Sequence, residues 1–409
     1  MNMTVARVVP GARFRALAIA LILPIVACAQ QARAAEVNVT ATFTPSALDP
    51  SRNTFTNTTP RGTYCTWSPW ACARANAYFF DVPLGITKTY VKGGDIRKRF
   101  YVGFPGPRRI QLQHSESGQL FPVDIAFQAV SGRLEPGNGD NPVFTKYPQG
   151  GCSYIHTAGL AAYVNFGWLV RSPDAPVPCH STGGGASGFT QTYTMPWFGI
   201  GLNITAPSPL SMPNGQYEGS VTYTVGSSGA DIDLGDDVTS DPELTLRFRF
   251  SVAHEFQVTF PSTSPIAVLS PVGGWQQWID YGRAPSRLQQ ELPFTLTSSS
   301  DFSVKMRCEH EVSGRCGIED LAAGTIVPVD VDVTMPGMRV IGTGAPAINT
   351  SLVSDASGTV APRFTPDSYL VSRPSKLVFS ANGTSVTEML KAPSSRWQGD
   401  VTVVFDSDP

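Results

Sequence analysis

Alternation of apolar and polar residues with a period of two runs through this sequence, and long stretches with helical periodicity are absent. The alternation is clearest in RWQGDVTVVFDSDP at 396–409, where Val401, Val403 and Phe405 occupy every second position. Such a stretch predicts a half-buried β-strand. Gly (38 residues) and Pro (34) are abundant, and only 15% of residues are charged. Pattern and composition together predict an all-β, turn-rich fold.

The first 35 residues have the organisation of a secretory signal peptide. A basic region precedes an apolar core at 16–27, and small residues follow at 32–34. The apolar core is too short to span a bilayer, so we predict cleavage after Ala34 or Ala35. The stretch IVAC, which ends at Cys28, also resembles a bacterial lipobox, and lipidation of that cysteine stays open as an alternative.

Charge and cysteine content narrow the possible partners. The formal net charge is only −2, so we expect no strong electrostatic attraction to nucleic acid or lipid headgroups. Six cysteines remain after the leader, and an even number in an exported chain predicts disulfides. Their local spacing predicts the pairs Cys65–Cys72, Cys152–Cys179 and Cys308–Cys316. None of these spacings suits zinc, and we predict no metal and no cofactor.

One short sequence pattern occurs twice in the chain. At 214–225 and at 395–406, an aromatic residue (Tyr217, Trp397), one spacer and a glycine precede an alternating strand. Each copy lies near the end of one half of the sequence. The repetition predicts two β-sandwich domains built on related plans.

We therefore predict two immunoglobulin-like sandwich domains in tandem, at 36–252 and at 253–409. No Gly/Ser-rich tether separates the halves, which favours a short and stiff joint. The alternating segment EVNVTATF at 36–43 has two possible roles, as a donor strand for another subunit or as the first strand of its own domain. We favour the first strand of the domain, because domain sequence follows without a spacer.

The order of these features resembles the tip adhesins and pilus biogenesis initiators of class 5 fimbriae, which use the alternate chaperone–usher pathway. Colonization factor antigen I fimbriae and cable pili belong to this class. The resemblance covers nearly all of the mature chain, and no single motif in it is specific. It rests on the early cysteine couple, a strand pair through DIRKRFYVGFPGPRRIQLQ, a second couple opening at GGCSY, MPNGQYEGSVTYTV, FSVKMRC and the closing strand.

The resemblance implies that the C-terminal domain is a pilin sandwich without its last strand. A periplasmic chaperone would lend a strand first, and the N-terminal extension of the major pilin would replace it at an outer-membrane usher. Val401, Val403 and Phe405 would line the groove for that donor strand. The protein would then pass through the periplasm to the fimbrial tip. In the alternative, the closing strand completes an intact sandwich.

Receptor binding is the activity that the resemblance implies, and its candidate residues surround the first cysteine couple. Arg61 occupies the place of an arginine in the receptor patch of the family, and Trp67 and Trp70 follow closely. Arginine forks and aromatic rings suit a glycan or protein receptor. Packing in the core or in a loop remains an equal alternative for the two tryptophans. The late arginine pair of the family is missing here, and Arg171 is the candidate substitute.

No catalytic motif accompanies the scattered histidines, so we predict that the protein is not an enzyme. The acidic stretch DIDLGDD at 231–237 lacks the glutamate of a calcium loop and predicts a polar hairpin end. The arginines of RKR (97–99) and RR (108–109) are predicted to line solvated strand edges. The alternative function is a self-contained secreted or lipid-anchored β-sandwich binding module that does not polymerise.

Overall fold

The computed structural model describes residues 35–136, 147–160, 162–182, 188–262, 265–392 and 394–407. Residues 1–34 of the predicted signal peptide, including Cys28, lie outside these residues. Strands dominate the described chain, which confirms the all-β fold class. No described helix is long and apolar enough to cross a membrane. The α-helices among the described residues are Thr63–Trp67 (α1), Pro69–Ala75 (α2), Gln276–Tyr281 (α3) and Thr384–Met389 (α4).

Two groups of strands follow each other along the chain, one in the N-terminal part (35–252) and one in the C-terminal part (253–407). The strands of the N-terminal part are Ala35–Phe43 (β1), Thr56–Asn57 (β2), Phe80–Val82 (β3), Thr87–Val91 (β4), Tyr101–Val102 (β5), Arg108–His114 (β6), Leu120–Leu134 (β7), Gln149–Gly150 (β8), Cys152–Leu160 (β9), Tyr163–Val170 (β10), Cys179–His180 (β11), Thr190–Thr194 (β12), Phe198–Thr205 (β13), Gly215–Gly226 (β14), Ile232–Asp233 (β15), Val238–Thr239 (β16) and Glu243–Val252 (β17). The strands of the C-terminal part are Phe256–Thr259 (β18), Ser270–Pro271 (β19), Arg287–Ser298 (β20), Phe302–Cys308 (β21), His310–Val312 (β22), Arg315–Asp320 (β23), Ile326–Thr334 (β24), Met338–Val340 (β25), Thr350–Ser351 (β26), Arg363–Pro366 (β27), Leu370–Asn382 (β28), Trp397–Gln398 (β29) and Val401–Asp406 (β30).

One large sheet surrounds the hydrophobic core of the N-terminal part. Its strand order is β2-β1-β17-β14-β6-β7-β10-β9, and β13 joins it through β7 and carries β3. Each strand turns every second side chain toward the core. In β17 these buried side chains are Leu244, Leu246, Phe248, Phe250 and Val252.

β1 belongs to this sheet. It runs parallel to β17 over its whole length, starting at the pair Ala35–Leu244. Val39 and Phe43 are both 1% exposed and lie in the same core as β17. The structure therefore confirms 36–43 as the first strand of the N-terminal sheet. Ala35, which we assigned to the signal peptide, is the buried first residue of this strand.

Two sheets enclose a second core in the C-terminal part. One has the order β18-β20-β28-β24-β23-β22, with β19, β26 and β29 attached, and the other has the order β25-β27-β21-β30. Phe294 of β20, Met306 of β21 and Leu377 of β28 are all buried in this core. It shares no residue with the first core. Whether the two parts are independent domains remains a prediction.

The three predicted disulfides are confirmed. Each lies within one part of the chain, and the Cα–Cα distances are 5.6, 5.3 and 5.1 Å in sequence order. The bonded pairs are Cys65–Cys72, Cys152–Cys179 and Cys308–Cys316.

The repeated aromatic-x-Gly signal has the same physical cause in both halves. Gly219 follows the two residues at which β14 pairs with β6, and a Cβ there would lie 2.6 Å from the carbonyl oxygen of Gln111. Gly399 precedes β30, and its Cβ would lie 2.6 Å from the carbonyl oxygen of Gly317. Only glycine tolerates so close an approach of two backbones. This shared constraint supports the correspondence between β14 and β30.

The joint between the two parts is short, as predicted. β17 ends at Val252, β18 begins at Phe256, and His254 lies between them. Nε2 of His254 donates to the carbonyl of Met212 at 2.7 Å, and Nδ1 lies 3.1 Å from Oγ of Ser299. The imidazole thus bridges the two parts. Its burial lowers the pKa of His254, because the charged form would lose hydration.

Acidification is expected to weaken this joint. The pKa of an unfolded histidine is about 6.5, and that of His254 in the folded protein is lower. The unfolded state therefore binds more protons, and stability is lost as the pH falls below about 6.5 toward the folded pKa. We expect the denaturation midpoint of the wild type to fall further than that of His254→Gln between about pH 7.5 and about pH 5. His180→Gln is the control and should follow the wild type, whereas equal pH dependence in the wild type and His254→Gln would contradict this account.

In the segment 95–113, the predicted strand pair is wrong, and the predicted solvated position is wrong for Arg97 and Arg108 but not for Arg109, which is 67% exposed on β6. The two strands of this segment do not pair with each other, because β5 pairs with β11 and β6 pairs with β7. Arg97 lies in a 3₁₀ turn, and its side chain is only 23% exposed. It bonds Asp233 at 2.7 Å and Asp236 at 2.9 Å. Arg108 likewise pairs with Asp231 instead of facing solvent alone. Carboxylates from a distant loop therefore neutralise these arginines.

Candidate functional site

β30 is an edge strand. It pairs with β21 from Val401–Cys308 to Asp406–Ser303, and within the described residues no strand pairs with its other edge. The corresponding strand of the N-terminal part, β14, has β6 on one side and β17 on the other. The C-terminal sheet therefore lacks a described counterpart of β17.

An apolar face accompanies this open edge. Val401, Val403 and Phe405 contact the second core but remain only half-buried. The ring centroid of Phe405 lies 5.4 Å from that of Phe294, which is buried. On β14, by contrast, the neighbouring strand β17 helps to bury Tyr223 to 1% exposure. The three predicted groove residues thus share one face, which a further strand would cover.

A groove of about 1030 Å³ opens between β1 and β3 in the N-terminal part. Val37 on β1 and Phe80 on β3 form part of its apolar lining, and Arg61 lies at its border. The guanidinium carbon of Arg61 is 5.7 Å from the ring centroid of Tyr78. A smaller cavity of about 230 Å³, next to the disulfide, also borders Arg61. Arg61 is therefore an exposed cation between two concave surfaces.

The segment after Arg61 forms a helical hairpin that the period-two pattern did not indicate. Asp81 accepts hydrogen bonds from the backbone nitrogen of Thr63 at 2.9 Å and from its Oγ1 at 2.6 Å, which satisfies the start of α1. Pro69 begins α2, where its missing N–H costs nothing. The Cys65–Cys72 disulfide joins the two helices. Arg61 is thus held at the entrance of a rigid element.

Trp67 and Trp70 lie on the surface, which excludes core packing for them but not packing within their loop. They are 39% and 55% exposed. Both contact His156 of β9, at centroid distances of 6.0 Å in a stacked geometry and 4.7 Å in an edge geometry. Burial lowers the pKa of His156, which favours its neutral form. We call these three rings the aromatic surface. Sequence reasoning missed His156, because β9 is distant in the chain.

Arg171 does not join the aromatic surface. It follows β10, in which Gly167 pairs with His156 and Val170 pairs with Cys152. At about 3.3 Å per residue, four positions separate Arg171 from Gly167 by about 13 Å. Its backbone nitrogen donates to the carbonyl of Gly151 at 2.8 Å. The structure therefore separates Arg171 from the other candidate receptor residues.

The acidic loop at 231–237 is not the polar hairpin end that we predicted. It encloses Lys88, which is 3% exposed. Nζ of Lys88 donates to the carbonyls of Arg97 at 2.8 Å, of Leu234 at 3.0 Å and of Asp236. Desolvation lowers the pKa of Lys88 to about 8, although nearby aspartates oppose that shift. The buried ammonium group of Lys88 therefore holds the acidic loop together through these hydrogen bonds.

Neither a protein-family model nor a curated protein matches this chain. Among solved structures, it is similar to CfaE, the adhesive subunit of the CFA/I fimbria of enterotoxigenic Escherichia coli, with 9% identity, coverage of 91% of this chain and 92% of that chain, and a TM-score of 0.26. It is also similar to a chaperone–tip adhesin complex of CFA/I fimbriae biogenesis, with 10% identity, coverage of 92% and 97%, and a TM-score of 0.25. A third similar structure is the CsuC–CsuE chaperone–tip adhesion subunit complex from the archaic chaperone–usher Csu pili of Acinetobacter baumannii, with 8% identity, coverage of 91% and 98%, and a TM-score of 0.20. Because these TM-scores are below 0.5, the functional proposals rest on the residues of this chain.

Proposed function

We propose that this protein is a fimbrial tip adhesin. Its N-terminal domain (36–252) binds a host-surface receptor, and its C-terminal domain (253–409) joins the pilus by accepting a donor strand. The observation that carries this proposal is the open edge of β30 beside a half-buried apolar face. Exposed strand edges of this kind promote aggregation unless another strand pairs with them. The proposed activity is binding and assembly rather than catalysis.

The internal comparison with β17 indicates what the donor strand must provide. β17 pairs with β14 over ten residues and buries an apolar side chain at every second position. A donor strand on β30 needs the same alternation, because its main-chain hydrogen bonds supply affinity while its inward side chains fill pockets. A periplasmic chaperone supplies this strand first, and the N-terminal extension of the major pilin replaces it at the outer-membrane usher. The adhesin then reaches the cell surface at the fimbrial tip.

Two neighbouring substitutions test the groove. Val403 contacts the second core, whereas Val404 pairs with Lys305 on the adjacent strand and is not part of that core. Val403→Asp is expected to abolish incorporation into fibres, because the donor strand would bury an unpaired carboxylate, which costs several kcal/mol. Val404→Asp changes the same residue type and should retain incorporation. Immunoblots of sheared fibres, normalised to periplasmic protein, measure both. Normal incorporation of Val403→Asp would refute the groove and favour a self-contained binding module.

The proposed receptor site combines Arg61 with the aromatic surface of Trp67, Trp70 and His156. Aromatic rings stack on the apolar faces of sugars, and an exposed guanidinium donates paired hydrogen bonds to their polar groups. This chemistry supports a glycan receptor. Arg171 remains a separate candidate, because it lies away from the other residues.

Arg61→Ala is expected to reduce adhesion to receptor-bearing cells at least about tenfold, as loss of a central arginine anchor does in other interfaces. Fibre assembly should not change, because Arg61 belongs to the N-terminal part and β30 to a sheet of the C-terminal part. Arg109→Ala is the matched control, since Arg109 is 67% exposed on β6 and its partner is Asp124. We expect wild-type adhesion for this control. Wild-type adhesion of Arg61→Ala would remove Arg61 from the site and direct attention to Arg171.

A further inference from the structure

The segment 272–284, between β19 and β20, is exposed at every residue, and no residue of α3 within it is buried. We call this segment the apolar excursion. It carries five large apolar or aromatic side chains. Their exposed fractions are 72% for Val272, 38% for Trp275, 39% for Trp278, 70% for Ile279 and 69% for Tyr281.

The hydrogen bonds of the apolar excursion are local. The backbone nitrogen of Ile279 donates to the carbonyl of Trp275 at 3.0 Å, and the side chain of Gln276 donates to Asp280 at 2.6 Å. Asp280 and Arg283 are the charged residues of the segment. A concentrated, nearly uncharged apolar patch is uncommon on a monomer and marks an interaction surface.

The position of the apolar excursion indicates which neighbour it meets. At one end of β20, residues 295–298 pair with β18, next to the contact between His254 and Ser299 at the joint. At the other end, Leu288 and Gln289 pair with β19, from which the excursion starts. The six residue steps of strand from Gln289 to Thr295 span about 20 Å. The excursion therefore lies at the end of the C-terminal part that is remote from the N-terminal part.

The apolar excursion is linked to the proposed groove through the second core. The extended segment that leads into it turns Ala267 and Leu269 toward the second core, the same core that Val403 and Phe405 contact. The alternate residues Ile266 and Val268 point outward and are 79% and 68% exposed. A partner whose strand lies beside β30 would thus meet further apolar surface at the end of the groove.

We propose that the apolar excursion docks the body of the subunit that donates its strand to β30. This inference rests on the proposed function and names a second contact with the same partner. The partner surface must be apolar and nearly uncharged, because the excursion offers one acidic and one basic side chain. Two linked contacts strengthen each other through effective concentration. The excursion would also fix the angle between the adhesin and the next subunit. A single donor strand does not fix that angle.

Photocrosslinking in intact fibres tests this proposal. A benzophenone amino acid is placed at Ile279, at Val403 in the groove or, as the control, at Gln111, which is exposed on β6. We expect crosslinks from positions 279 and 403 to the same fimbrial subunit, identified by mass spectrometry, and no such crosslink from position 111. A crosslink at 403 without one at 279 overturns this inference and leaves the proposed function standing. Failure at both positions overturns both.

The other possible occupants are outcomes of the same experiment. A crosslink from position 279 to lipid, or to a second copy of this chain, overturns the assignment to the donor subunit. As a second measurement, Ile279→Ser in a donor-fused chain should leave the melting temperature unchanged, because the side chain is 70% exposed. In fibres the same variant should lower the amount of incorporated adhesin about tenfold. Unchanged incorporation would also overturn the proposal.

Discussion

Fusion of a donor strand to the C-terminus, through a flexible linker, is expected to convert this protein into a soluble, stable monomer. The donor should carry apolar residues at alternate positions, as Leu244, Leu246 and Phe248 do on β17. A short linker gives an effective concentration of about 1 mM. At about a thousand times the dissociation constant, the stabilisation is about 4 kcal/mol, which corresponds to a rise in melting temperature of roughly 10 °C.

The control is a donor of equal length and composition in which the alternation is destroyed. It should give no stabilisation, because its apolar side chains cannot all face the groove beside Phe405. Light scattering and thermal unfolding of the mature, unfused chain complete the comparison. A monomeric unfused chain that melts cooperatively and ignores added donor peptide would contradict the incomplete sandwich. The self-contained binding module would then be the better account.

Lys88→Met is expected to destabilise the N-terminal part by about 2–4 kcal/mol. The ammonium satisfies three carbonyl groups, and methionine would leave them without donors, at a cost of about 1–3 kcal/mol for a buried unpaired group. Removal of the charge also ends its desolvation, which has lowered the pKa of Lys88 to about 8. Because the variant avoids the desolvation penalty of the ammonium group, the expected loss of stability is smaller than the summed cost of three unpaired carbonyl groups. Urea denaturation followed by tryptophan fluorescence measures it.

Lys98→Met is the matched control for this experiment. Lys98 is 46% exposed, and its Nζ lies 4.0 Å from Asp237 of the same acidic loop. Exposed ion pairs contribute only about 0–1 kcal/mol, so this variant should denature almost like the wild type. Equal stabilities for the two variants would show that Lys88 does not organise the loop.

Much of the proposed donor groove could be predicted from local sequence. The alternation of Val401, Val403 and Phe405 defines one apolar face, because successive side chains of a strand point to opposite sides. The short separations between cysteines likewise indicated their pairs, which the structure confirms. The strand pair expected within 95–113 was wrong, because alternation identifies strands but not their partners.

The receptor candidates show where such prediction stops. The local cluster of Arg61, Trp67 and Trp70 was visible in the sequence, but its exposure and its partner His156 were not. Arg171 was expected to join them, and the register of β9 and β10 separates it instead. These facts depend on contacts between residues far apart in the chain.

By itself, the sequence determined the strand-rich class, the apolar face of the closing strand and the positions of two glycines, Gly219 within β14 and Gly399 before β30. Each follows from backbone geometry acting over a few residues. Only the tertiary structure decided that β17 pairs with β14 while β30, among the described strands, keeps an open edge. It also placed Lys88 inside the acidic loop and exposed the apolar excursion. The physical reason is that strand pairing and burial bring together segments that are far apart in the chain. The local pattern of one strand does not specify which other strand pairs with it.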